Sequence, residues 1–319
     1  MLKTAITELF GIKYPIIQGG LAHLGTAELV SAVSNAGGLG IIGSGYYEPD
    51  WVRHQINLTR EQTNKPFGVN IHLASPFVKS VIQVVFEERV TIVTTGGGNP
   101  EACLPEFKKA GIKVMPVVGS VALARRLEKA GADAVVAEGM ESGGSIGDTA
   151  TIVLVPQVVD SLQIPVVAAG GIADGRGLVA VLALGAQGIQ MGTRFVCSTE
   201  CIAHPKYKEK ILKANDQATV VTGQMLGLPQ RRLKNRLTYQ LQELEELGLK
   251  KEELELFDRG RVSLGLVEGD TEDGALLAGQ IAGLIKEIKP VRVIIEEIMA
   301  EAGSIITGLQ NRYRQGDDD

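Results

Sequence analysis

PVVAAGGIADGRGLVAVLALGA, residues 165–186, runs from a short Val-rich stretch through a glycine junction into a helical pattern that ends at glycine. Its first residues are apolar consecutively rather than alternately, which marks a strand covered on both faces. The change of period after the junction marks a helix. Outward from this segment the same unit recurs. Strand-like runs occur at PIIQ (15–18), GLGIIG (38–43), PFGVNI (66–71), TIVTT (91–95), KVMPVV (113–118), DAVVAE (133–138), PVVAAG (165–170) and QGIQMG (187–192). Helical patterns such as TAELVSAVSNAG (26–37) and SVALARRLEKAG (120–131) lie between them, stopped by glycine as a left-handed cap would stop them. Eight βα units in about 180 residues predict an α/β chain folded as a TIM-like (β/α)8 barrel. A doubly wound open sheet is the alternative, because closure is not written in the pattern.

The chain has 319 residues, enough for such a barrel with an added segment, and 45% hydrophobic residues for its core. Its 39 glycines lack a three-residue period and point to tight turns and close backbone approaches. A net charge of −5 provides no basic field for nucleic acid or an anionic membrane. Cys103, Cys197 and Cys201 have no Cys-x-x-Cys spacing, so free thiols, a reducing cytoplasmic setting and no metal site are expected. Cys197 and Cys201, four apart, are candidates to share a helix face. The N-terminal residues carry no signal-like apolar run.

The predicted organisation is a barrel over 1–214, a helical lid or substrate domain over 215–289, and a C-terminal helix over 290–319 packing back on the barrel. HPKYKEKILKA (204–214) reads as a basic helix, and 228–259 as charge-dense helix with little strand character. GALLAGQIAGLIKEI (274–288) reads as a buried helix, PVRVIIEEIMAEAGSIITGL (290–309) as an amphipathic one, and the closing RQGDDD as frayed.

GLGIIG matches G-x-G-x-x-G but is rejected as a dinucleotide fingerprint: a helix precedes it, and the strand lies inside the motif. The informative pair is AAGGIADGRG (168–177) after the seventh strand and MGTRF (191–195) after the eighth. Loops at those positions of a barrel commonly form a phosphate site, so Gly170, Gly171, Gly192 and Thr193 are candidate phosphate binders. Gln18, Gly19, Gly20, Asn70, the segment 96–99 and Glu138 close other strands at the same face and suit a planar, polar ligand.

GGLAHLG (19–25), AGGLGIIGSG (36–45), KPFGVNI (65–71), EGMESGGSIG (138–147), IPVVAAGGIADGRG (164–177), MGTRF, HPKYKEKILKA and GQIAGLI (279–285) closely resemble the FMN-type enoyl-acyl-carrier-protein reductases, which group with the nitronate monooxygenases, formerly 2-nitropropane dioxygenases. The resemblance spans about Ile6 to Ile288. It implies a barrel holding FMN, with the phosphate at the glycine turns and Gly19, Gly20, Leu21, Asn70 and Glu138 along the flavin and ribityl chain. It also implies NADPH or NADH as co-substrate and a small-molecule or acyl-carrier-protein-linked substrate; a homodimer is expected, and the charge balance gives no nucleic-acid or membrane partner.

One departure stands out. The family pattern Glu-Ala-Gly-Gly-His-x-Gly has a catalytic or substrate-orienting His where this chain has Ser145. A serine hydroxyl is no base at neutral pH without activation, whereas imidazole titrates in the useful range. Three explanations stand: a natural shift of substrate, a substitution that disables the enzyme, or transfer of the role to His23 or His72. His54 and His204 read as surface residues. Arg231, Arg232, Lys234 and Arg236 read as a solvated basic face that would dock an acidic carrier protein or a nucleotide phosphate. The expected activity is FMN-dependent reduction of 2-enoyl thioesters in fatty-acid synthesis. The alternatives are oxidation of alkyl nitronates with O2, or a flavin-binding paralogue with impaired catalysis.

Overall fold

A computed structural model describes residues 2–315 apart from 226 and 249. Eight parallel strands form the barrel: β1 (Ile16–Gln18), β2 (Gly40–Gly43), β3 (Phe67–His72), β4 (Ile92–Gly96), β5 (Lys113–Val118), β6 (Val135–Glu138), β8 (Val166–Ala169) and β9 (Gly188–Met191). Three further strands, β7 (Gly144–Ser145), β10 (Thr219–Thr222) and β11 (Gln230–Leu233), form a separate antiparallel sheet in the order β10-β11-β7.

The barrel closes between β1 and β2 through a bridge from Ile17 to Leu39. Gln18 reinforces this seam: its side chain donates to Ile41 O and accepts from Ile41 N, both at 3.1 Å. Fully buried and spent on backbone, Gln18 is a seam residue and not the mouth ligand expected of it. Inside the barrel, Ile17, Leu39, Ile41, Ile92, Met115, Val136 and Val167 pack with Ile6 and Phe10 of the helix Ala5–Phe10. That helix plugs the end where the strands begin, since Lys113 Nζ at the start of β5 donates to Leu9 O. A second core, with Val69, Ile71, Val93 and Val135, fills the layer between strands and helices. The two cores explain the consecutive apolar residues: odd and even side chains of each strand are buried on opposite faces.

Gly40 of GLGIIG serves packing, because a Cβ there would sit 2.7 Å from Val30 Cα in the helix Ala27–Asn35. The glycine stops hold: Gly37, Gly131 and Gly185 have φ of 96°, 102° and 94°.

Residues 215–289 depart from expectation in two places. QRRL forms β11, paired on both sides, within a stretch that reads as strand-poor. GALLAGQIAGLIKEI is not a helix; only a 3-10 turn, Gln280–Leu284, forms. Its glycines are used for contact: a Cβ on Gly279 would lie 2.7 Å from Glu141 O, and one on Gly283 2.9 Å from Asn215 O. Three glycines also weaken a helix by roughly 1 kcal/mol each relative to alanine. The helices Arg236–Glu246, Lys251–Asp258 and Arg261–Leu266 complete the segment, with Leu237, Leu241 and Ala275 as a small core. The C-terminal helix Val291–Gln315 lies against the helix Gly175–Ala183, where Glu301 Oε2 accepts from Gly175 N at 2.7 Å. It continues through residues 314 and 315, which were expected to fray; 316–319 lie outside the described residues. No described helix is long and apolar enough to cross a membrane.

Candidate active site

Strand alternation decides what faces the mouth. Val69 and Ile71 point to the helix layer, so Gly68, Asn70 and His72 face the barrel axis. Val136 belongs to the inner core, so Glu138, two residues on, also faces inward. By the same parity Thr94 follows Ile92, and Gln190 follows Gly188. An apolar floor is therefore topped by a ring of polar groups where the strands end, the face on which barrel enzymes place their sites.

Asn70 is held by its Nδ2, which donates to Thr94 Oγ1 at 2.9 Å. Gly20 lies against it so closely that a Cβ would approach Asn70 Cγ to 2.6 Å. Glu138 Oε1 accepts from Ser142 Oγ at 2.9 Å, and burial pushes its carboxyl up to about 7 against that hydrogen bond. Such a group changes charge near neutral pH.

The two glycine turns sit on neighbouring strands, β8 and β9. Gly170 and Gly171 have φ of 91° and 73°, a region L side chains avoid. Among the described residues, the amides of Gly20, Leu21, Gly170 and Gly171 donate to no protein acceptor. Thr193 Oγ1 accepts from Gly279 N at 3.0 Å, which leaves the hydroxyl hydrogen for a ligand and ties the β9 turn to the GQIAGLI segment. Glu141 is turned onto Thr151, accepting from its N at 3.0 Å and from its hydroxyl at 2.8 Å.

Free turn amides, a spare hydroxyl hydrogen and a glycine at van der Waals limit beside Asn70 fit a riboflavin monophosphate. The phosphate suits Gly170, Gly171, Gly192 and Thr193, and the ring system suits Gly19, Gly20, Leu21, Asn70 and Glu138.

The histidines separate. His23 has φ 60°, and its Nδ1 is spent on Tyr47 Oη at 2.8 Å, with Tyr47 stacked on Trp51 at 3.8 Å. His72 packs beside Tyr46, ring centroids 5.1 Å apart, and its buried Nδ1 has no partner. Burial lowers both imidazole pKa values below 6.5. Ser145 is exposed on β7, paired with Gln230 of β11. His54 is exposed, whereas His204 is half-buried and caps the helix Pro205–Leu212 by accepting from Lys206 N.

Two other expectations are corrected. Cys197 ends a four-residue helix and Cys201 lies in irregular chain, so they share no helix face; burial pushes the Cys197 thiol up to about 12, making it an inert core group. The four-cation face does not exist, because Arg231 and Arg232 are only 4% and 3% exposed. Arg231 donates to Met140 O at 2.9 Å, and Arg232 to Asp258 Oδ1 at 2.6 Å.

Thr94, Ser142 and Gln190 are site residues that motif reading passed over. Thr94 and Gln190 were detectable by counting in twos from Ile92 and Gly188. Ser142 carried a signal in standing where the family pattern has Ala.

A family model described as nitronate monooxygenase matches residues 3–81 and 74–301. The chain is 39% identical to a probable nitronate monooxygenase of Staphylococcus saprophyticus, over 77% of this chain and 82% of that protein. It is 33% identical to a (3aS,4S,5R,7aS)-5-hydroxy-7a-methyl-1-oxo-octahydro-1H-indene-4-carboxyl-CoA dehydrogenase of Mycobacterium tuberculosis, over 97% of this chain and 98% of that one. Among solved structures, FabK from Thermotoga maritima superposes with a TM-score of 0.96 at 51% identity, covering 98% of this chain and 100% of that chain. A nitroalkane oxidase from Streptomyces ansochromogenes gives 0.86 at 28% identity, covering 96% and 100%.

Proposed function

The chain belongs to the nitronate monooxygenase family of FMN-dependent oxidoreductases, and from that premise we propose that it reduces 2-enoyl thioesters with NADPH or NADH, as an enoyl-acyl-carrier-protein reductase. The observation that carries this reading is the likeness to FabK at 51% identity over nearly the whole of both chains. The relative whose name specifies a carboxyl-CoA substrate supports a thioester as well.

FMN, when bound, supplies hydride transfer between reduced nicotinamide and the thioester β-carbon, chemistry that belongs to the cofactor. The protein supplies placement. The amides of Gly170 and Gly171 with the Thr193 hydroxyl hold an anion, Asn70 and Gly20 form one wall, and Glu138 stores a proton near neutral pH.

Oxidation of alkyl nitronates with O2 is the second reading, favoured by the relatives that carry that name. An anionic nitronate needs no base, so Ser145 does not oppose it.

Anaerobic mixing of flavin-loaded protein with NADPH or NADH, then with crotonyl-CoA, separates the readings. Bleaching of the flavin band reversed by the thioester is the expected result. Turnover with a nitronate and O2 alone would establish the second reading, and inertness to every reagent would leave a flavin binder without catalysis.

A further inference from the structure

His72 is the one inward-facing imidazole at the mouth among the described residues whose ring nitrogens are uncommitted. On β3 it stands two residues, about 6.6 Å, beyond Asn70 toward the opening and on the same face. Its ring is clamped: a Cβ on Gly97 would lie 2.8 Å from Cε1, Tyr46 packs on one side, and its own amide donates to Ser44 Oγ at 3.3 Å. Nδ1 is sealed without a partner, while Nε2 is not sealed. A buried acceptor without a donor is tolerated better than a buried N–H without an acceptor. The proton of the neutral ring therefore belongs on Nε2, which makes that atom a donor at the opening.

Resting on the reductase reading, we propose that His72 Nε2–H donates a hydrogen bond to the acyl carbonyl oxygen of the enoyl thioester, taking the substrate-orienting role that the family gives to a histidine where this chain has Ser145. Hydride arriving at the β-carbon drives negative charge onto that oxygen, and a fixed donor there stabilises the charge as it develops. No proton is transferred by the ring, so no titration is needed. Its neighbours, Tyr46 and Ser44 from the chain after β2 and Gly97 after β4, bring no charged side chain to it. Burial alone lowers its pKa and keeps it neutral at pH 7. His23, on the loop after β1, keeps its Nδ1 on Tyr47 Oη and leaves only its Nε2 for a ligand, so the test below includes it.

The test uses oxidised, FMN-loaded protein without nucleotide, so that no turnover occurs. Crotonyl-CoA labelled with carbon-13 at the carbonyl is bound, and its carbonyl stretch is read by infrared difference spectroscopy beside its Kd from flavin absorbance. The expected result is a downshifted stretch in the parent protein, lost in His72→Leu with about a tenfold weaker Kd, partly kept in the amide variant His72→Gln, and unchanged in His23→Leu. A downshift that survives in His72→Leu, or vanishes in His23→Leu, overturns the assignment while leaving the reductase reading intact. Absence of any thioester binding to a flavin that NADPH or NADH still bleaches overturns the reductase reading and the assignment with it.

Discussion

The Ser142 hydroxyl donates to Glu138 Oε1 at 2.9 Å, and a Cβ on Gly170 would lie 3.1 Å from that same Ser142 oxygen. A single hydroxyl thus links the buried carboxyl at the end of β6 to the glycine turn after β8.

Glu138 makes the flavin-free protein pH-sensitive. Its folded pKa is raised from 4.5 to about 7. The group therefore costs nothing below pH 4.5, and stability is lost as pH climbs through 7, by about 3 kcal/mol in full. Urea unfolding from pH 4 to 8.5 should show Glu138→Gln matching the parent in acid, exceeding it progressively as pH rises from about 4.5 to 7, and keeping a constant margin above that. Parallel curves at all pH values would contradict a raised carboxyl.

Gly170→Ala tests the phosphate cradle. At φ 91° an added Cβ is strained by about 1–2 kcal/mol and meets Gly139 O at 3.0 Å. Fluorescence titration should give at least a tenfold weaker FMN Kd, about 1.4 kcal/mol. Unaltered affinity would place the phosphate elsewhere.

Ser145→His should be neutral for folding, within about 0.5 kcal/mol, because residue 145 is exposed on β7. Restoring an imidazole supplies the base that a neutral nitroalkane requires, so oxygen uptake with 2-nitropropane should rise by on the order of a hundredfold. A flat response would mean that proton abstraction does not limit this chain.

Arg232→Ala strands Asp258 in a largely covered site, since the two side chains are 3% and 20% exposed. Chemical denaturation should report a loss of about 3 kcal/mol. A loss below 0.5 kcal/mol would return Arg232 to the solvated face that its charge alone implies.

The eight barrel strands, their glycine-stopped helices and the two glycine turns after β8 and β9 were legible in the sequence, because each depends on residues adjacent in the chain. Period, glycine conformation and strand length are local quantities. GALLAGQIAGLIKEI misled for the opposite reason: its local pattern is helical, but Gly279 and Gly283 are needed where distant backbones cross at Glu141 and Asn215.

Sequence alone thus determined the eight βα units, the face where their strands end and the glycines that could cradle an anion, while closure into a barrel was decided by the Ile17–Leu39 bridge. Tertiary structure alone decided that Gln18 ties the seam instead of facing the mouth, that Arg231 and Arg232 are interior, and that His72 is free where His23 is committed to Tyr47. The physical reason is that burial and hydrogen-bond partners are set by segments far apart in the chain. Gln18 meets Ile41, Arg231 meets Met140, and His72 meets Gly97 only after the strands have closed into a ring.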